Sequence, residues 1–88
     1  MNLNNDCIKD ILLTIEENTS STEYMLYEPD KNKYERLKPY SSDEVIYNAK
    51  YCDSLELFER FTLYVMNTGF SILGLSSKGH SYLEDIRN

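Results

Sequence analysis

The sequence predicts a small mixed α+β fold in the order helix, short strand, helix, β-hairpin, helix. Three observations predict it. Three stretches carry apolar residues at helical spacing, one stretch alternates around Asn67-Thr68-Gly69, and 88 residues suffice for one core. A chain this short buries about 60–65% of its unfolded surface. That favours a single domain over residues 1–88 and argues against a deep cleft between subdomains.

The elements follow in order. Asn4, Asn5 and Asp6 all suit an N-cap. Ile8, Ile11, Leu12 and Ile15 then recur on one face, with Lys9, Asp10, Glu16 and Glu17 elsewhere, so an amphipathic helix is predicted over 5–17. The polar run 18–22 breaks it. Tyr24-Met25-Leu26-Tyr27 reads as a short strand, residues 28–33 as a charged loop, and residues 34–39 carry no decisive signal. Ser41-Ser42-Asp43-Glu44 is a capping-box pattern in which Ser41 caps and Glu44 reaches back. Val45, Ile46, Ala49 and Cys52 complete a helix over 42–53, closed at Asp53-Ser54 without a glycine.

From Leu55 the period changes. Phe61, Leu63 and Val65 alternate with Thr62, Tyr64 and Met66; Asn67-Thr68-Gly69 reads as a tight hairpin loop with Gly69 at positive φ; Phe70, Ile72 and Gly74 then alternate with Ser71, Leu73 and Leu75. Both strands carry apolar residues on both faces near the turn. One face packs on the helices, and the other is covered by Tyr24–Tyr27 or left greasy. A lone hairpin is marginal in water, so it must share the helices' core. Ser76 or Ser77 caps a last helix with Tyr82, Leu83 and Ile86 as its buried stripe, and Gly79 near its start marks close backbone packing, here expected against the hairpin. No repeat or low-complexity segment interrupts this order.

Composition narrows the function. Apolar residues make up 41% and charged residues 27%, enough apolar material to fold. Nine basic against 15 acidic residues give a net charge of −6, a field that repels DNA at long range. Cys7 and Cys52 form no disulfide framework and read as buried reduced thiols, and the single His80 completes no zinc site with them. No metal, cofactor or catalytic residue is expected: there is no phosphate loop, dinucleotide fingerprint or ligand spacing. His80, with Ser81 and Glu84 nearby, reads as a structural hydrogen-bonder and not as part of a triad. No signal-peptide pattern and no run near the ~20 apolar residues of a membrane span occurs, so a cytoplasmic location without membrane contact is expected.

Asp6-Cys7-Ile8-Lys9-Asp10-Ile11-Leu12-Leu13 with Ile15-Glu16-Glu17-Asn18, the block Tyr40 to Tyr47, and Leu75-Ser76-Ser77-Lys78-Gly79-His80-Ser81-Tyr82-Leu83-Glu84-Asp85-Ile86-Arg87 lie in one order along the chain. Together they resemble domain-of-unknown-function family 2513, found in phages, prophages and Gram-positive bacteria. The resemblance implies a winged-helix-like fold and a phage or prophage setting, and implies no activity. The chain has Lys9 where arginine is common in the family, Ser76 where threonine is common, and Asp53-Ser54-Leu55 where a glycine turn is common. Family members usually continue beyond the Ile-Arg pair with a segment that includes a tryptophan, whereas this sequence stops at Asn88.

The functional reading is a small non-enzymatic binding module. In a winged-helix-like fold, helix 42–53 occupies the place of a recognition helix, and its candidate interaction face is Asp43, Glu44, Tyr47, Asn48, Lys50 and Tyr51. Asp43 and Glu44 would repel phosphate, and eight tyrosines exceed what so small a core absorbs. The leading expectation is therefore a protein partner held by an acidic, tyrosine-rich surface, acting as a nucleic-acid mimic or an inhibitor of a host system. The alternative is a DNA-binding transcriptional regulator using helix 42–53, with Asn48 reading adenine, the hairpin as wing, and the basic patch Lys31, Lys33, Arg36 and Lys38 on the backbone. A homodimer that scaffolds a larger assembly is the third reading.

Overall fold

A computed structural model describes residues 3–87 and, of Asn67, the backbone alone. The first helix, α1, spans Asn5–Asn18. Of the three suitable caps Asn4 is the one used: its side chain accepts from the Asp6 and Cys7 amides at 3.0 and 3.1 Å. The stripe Cys7, Ile8, Ile11, Leu12 and Ile15 is buried as the spacing predicts. Buried Thr14 joins it by turning its hydroxyl onto the Asp10 carbonyl at 2.6 Å.

Strand β1 covers Met25–Tyr27. The weakly patterned stretch after it forms two 3-10 turns, Pro29–Lys31 and Glu35–Leu37. Buried Tyr34 and Leu37 pin this segment to the core. Helix α2, Ser42–Ser54, starts with the Glu44 amide donating to Ser41 Oγ at 3.2 Å. The reciprocal half of the expected capping box does not form, because the Glu44 carboxylate accepts instead from Asn4 Nδ2 at 2.8 Å. The helix ends without glycine through a left-handed residue, Glu56 at φ 62. The Leu57 amide donates back to Cys52 O and the Glu56 amide to Asp53 O, satisfying two terminal carbonyls.

The following strands are two halves of one long hairpin. β2 (Phe58–Glu59) pairs with β5 (Gly74–Leu75), and β3 (Thr62–Leu63) pairs with β4 (Phe70–Ile72), all antiparallel. Arg60, at φ 52, divides the halves. β1 pairs with β4, Leu26 opposite Ser71, giving the strand order β1-β4-β3. The segment Tyr24–Tyr27 thus extends the sheet at its edge and does not cover a face. The expected three-residue turn is also corrected. The Tyr64 amide donates to Gly69 O at 2.9 Å and closes a longer loop, so Val65 and Met66 leave the strand for a 3-10 turn, Val65–Asn67. Gly69, at φ 147, lies so near β1 that a Cβ would stand 2.4 Å from Tyr27 O.

Helix α3 spans Ser77–Arg87, and its first turn is capped by Ser76, whose Oγ accepts from the Gly79 amide at 3.0 Å. Gly79 packs against the Leu57 carbonyl, where a Cβ would approach to 2.1 Å. The close packing expected of this glycine against the hairpin is found at its base, where the chain leaves α2 through Leu57 into β2 and where Leu75 of β5 would stand 3.3 Å from that Cβ. Leu83 is buried, with Tyr82 and Ile86 half-buried beside it. One core joins the elements, and within it Tyr27, Phe70, Phe61 and Phe58 form a chain of rings with successive centroids 5.1, 5.5 and 5.6 Å apart.

Candidate binding surfaces

The α2 face divides into two unlike halves. Asp43, Tyr47 and Lys50 are exposed, and Tyr51 is half-buried near Tyr82. Asn48 is fully buried, which corrects its expected role as a base reader. Its Oδ1 accepts from the Asn4 amide at 3.0 Å and its Nδ2 donates to Glu44 O at 2.8 Å. Asn4, Glu44 and Asn48 therefore form one polar joint between the start of α1 and α2. Glu44 is half-buried within it, so its carboxylate belongs to the joint and not to a free acidic face. The signal for Asn48 lay in spacing: it follows Val45 by three residues and precedes Cys52 by four, which is the buried stripe.

Two of the four cations of the basic segment, Arg36 and Lys38, are held in ion pairs. Arg36 grips Glu17 with two hydrogen bonds of 2.9 and 2.6 Å and lies 3.9 Å from Asp10. The guanidinium holds the Glu17 carboxyl below its usual range. Lys38 pairs with Glu35 at 2.8 Å, and Lys33 stands over the Tyr34 ring at 5.7 Å. Lys31 shares a surface depression with Glu28 and Asp30. The four cations are thus interleaved with carboxylates and do not form a continuous basic stripe. The tyrosines are dispersed too. Tyr27 and Tyr34 are in the core, and Tyr40 is half-buried with its hydroxyl donating to Asp10 at 2.7 Å. Burial first, then that bond, pushes the Tyr40 pKa up.

The largest exposed apolar side chains gather at the hairpin. Val65 is 80% and Met66 89% exposed at the loop tip. Tyr64, next to them, shares a shallow depression on the outer sheet face with Tyr24, Arg60, Thr62, Ser71 and Leu73. Tyr24, Tyr64 and Leu73 are exposed as well. Sequence alternation marked both faces of these strands as apolar, but it did not mark the loop residues as the exposed ones.

The sequence matches the family described as hypothetical protein (DUF2513) over residues 2–88. The chain belongs to DUF2513. No curated protein and no solved structure matches it. At two of the positions where this chain departs from the family resemblance, left-handed Glu56 makes the turn after the central helix without glycine, and Ser76 supplies the capping hydroxyl.

The DUF2513 chain has a second depression of about 490 Å³ between the exit of α2 and α3, with Leu55, Leu57 and Tyr82 as its apolar wall and Lys78 and Asp85 on its rim. Lys78 is held there by Glu56 at 2.8 Å. The thiols of Cys7 and Cys52 are buried and free, and burial pushes each pKa up to about 12. They are protonated and unreactive at neutral pH. His80 is exposed on α3, and its amide donates to Ser76 O at 2.9 Å. Among the described residues no group of three or more His, Cys, Asp or Glu is disposed to hold a metal, and no helix is long and apolar enough to cross a membrane.

Proposed function

We propose that this chain is a winged-helix-like, non-enzymatic module that binds a protein partner through the outer face of its three-stranded sheet and the tip of its hairpin. The observation that carries the reading is the exposure of Val65 and Met66 at the loop tip together with that of Tyr64, Tyr24 and Leu73 on the outer sheet face that runs away from it. Leaving several apolar side chains of one hairpin and its neighbouring strand in water gives folding nothing, and exposed apolar surface of this kind marks interaction sites. Aromatic residues, methionine and arginine with few carboxylates are the composition of protein interfaces. The winged-helix part rests on element order: α2 sits between the first helix and a hairpin that would be the wing, which is an argument by analogy.

Several observations favour protein over duplex DNA as the partner. Asn48 is buried, Glu44 is engaged by Asn4, and the hairpin loop 64–69 contains no Lys or Arg. A wing that held phosphate would need such cations. Imitation of nucleic acid is the weaker form of this reading, since Glu44 is engaged by Asn4 and Glu17 and Glu35 are paired with Arg36 and Lys38. A phage or prophage origin, as the family resemblance implies, makes a host or phage protein in the cytoplasm the partner.

The test is capture from cell lysate after nuclease treatment, comparing the wild-type chain with a Val65→Asp/Met66→Asp variant. A defined protein held by the wild type and lost by the variant is the expected result. Equal retention by both overturns the assignment of the face. Retained material that vanishes with nuclease overturns protein binding in favour of the DNA-binding regulator.

A further inference from the structure

The two edges of the three-stranded sheet differ. At the β1 edge the outward Leu26 amide is taken by the hydroxyl of buried Tyr34 at 3.1 Å, which closes that edge. At the β3 edge there is no such plug. The Tyr64 amide points inward to Gly69 O, and strand alternation then turns the amides and carbonyls of Phe61 and Leu63 outward. Neither outward amide has a bond to another residue among those described. An open edge of this kind is a template for another strand.

We infer that the β3 edge pairs antiparallel with the β3 edge of a second copy of this chain, joining two three-stranded sheets into one. The extended segment is short, the strand Thr62–Leu63 with Tyr64 still extended after it, and this selects the register. With Thr62 opposite Thr62 of the second copy, Phe61 and Leu63 exchange their free backbone bonds with Leu63 and Phe61 across the two-fold axis. Moving the axis one residue back sets Leu63 opposite a glutamate, Glu59. Moving it one residue forward requires an extended Val65, which is in the 3-10 turn.

Side-chain chemistry agrees with the first register. It sets Arg60 opposite Tyr64 of the second copy on the outer face. Arg60 is exposed and has no carboxylate partner among the described residues, and Tyr64 is an exposed ring, so each supplies what the other lacks. The rest of the facing segment, Phe61 to Leu63, is uncharged. Pairing edge to edge leaves the outer sheet face open, so the dimer does not depend on the partner proposed above and presents that face twice. Each copy carries a net charge of −6, and the resulting repulsion is screened by salt. The dimer therefore tightens as ionic strength rises.

The test is sedimentation equilibrium of the full chain across a wide range of concentration, at low and high salt. The expected result is a mass that rises toward twice the monomer with concentration, at lower concentration in high salt. Leu63→Pro removes an outward amide that the β4 ladder does not use, and it is expected to sediment as a monomer. Thr62→Cys gives an independent readout. A non-hydrogen-bonded antiparallel pair has Cα atoms about 4.5 Å apart, within disulfide reach. With oxidised glutathione as oxidant, Thr62→Cys is expected to crosslink into a covalent dimer, whereas Tyr24→Cys, on the closed side, is not. A wild-type chain that is monomeric throughout, a Leu63→Pro chain that dimerises like the wild type, or equal crosslinking of the two cysteine variants overturns the proposal.

Discussion

The contact between α1 and α2 and the hairpin beyond them solve opposite problems. Where the helices meet, polar side chains are drawn inside and paired: Asn4, Glu44 and Asn48 satisfy one another at the rim of a core of Cys7, Val45, Ala49 and Cys52. At the hairpin, strands of two or three residues carry a loop whose apolar side chains stand in water. The polar residues of the first region hold the fold, while the apolar residues of the second add little to it. Polarity in the sequence is therefore a poor guide to which surface meets a partner. A buried amide fixes how two helices sit, and an exposed methionine has no structural reason to be where it is.

That contrast predicts where the molecule breaks most easily. The largest effect is expected at the junction between the exit of α2 and α3. Gly79→Ala drives a Cβ to 2.1 Å from the Leu57 carbonyl, a backbone atom that cannot rotate away. A loss of about 3 kcal/mol is expected in urea unfolding. Retained stability would mean that α3 is free to shift and that its contact with α2 is loose. Next comes the polar joint. Asn48→Ala leaves the Asn4 amide without its acceptor and is expected to cost about 2 kcal/mol. Tyr47→Ala, one residue away but exposed, is expected to stay within about 0.5 kcal/mol. Equal effects of the two would remove the distinction between a structural and a surface half of α2.

Much of the helical half was legible in the sequence because burial there follows spacing. The α1 stripe, the Ser41 cap and the start and end of α2 come from periodicity and local hydrogen-bonding chemistry. Asn48 was misread because a polar residue was taken as a surface residue, although its spacing to Val45 and Cys52 placed it on the buried stripe. The hairpin half was less legible. Its alternation ran through β3, β4 and on into β5, but β2 fell outside the pattern, because a two-residue strand is too short to carry a period. The loop closes at Tyr64 and Gly69 through a tertiary contact with Tyr27, and no local signal contains that contact. The ion pairs within the basic segment were hidden for a similar reason. Charges close in sequence said nothing of the carboxylates that α1 brings to Arg36.

A smaller effect of opposite sign is expected at Glu56. This residue holds a left-handed backbone at φ 62, which glycine adopts at no steric cost. Glu56→Gly loses an ion pair to Lys78 that is exposed on both sides, and such pairs contribute little. A modest rise in the urea midpoint is expected. A fall would mean that the Lys78 contact, and not the backbone turn, fixes the exit of α2.

The smallest expected change in stability is at the hairpin tip, and its smallness is the informative part. Val65 and Met66 contact so little that replacing both with aspartate removes almost no buried area. Met66 also holds a left-handed backbone, φ 57, which aspartate tolerates better than most residues. The urea midpoint of Val65→Asp/Met66→Asp is therefore expected to match the wild type to within about 0.5 kcal/mol. If it does, any loss of partner capture by that variant comes from the surface and not from unfolding. If instead stability falls by more than about 1 kcal/mol, the tip packs against the rest of the chain in solution. The apolar side chains would then be part of the core, and the contrast between a self-satisfied helical half and an outward-facing hairpin would fail at the residues on which it depends most.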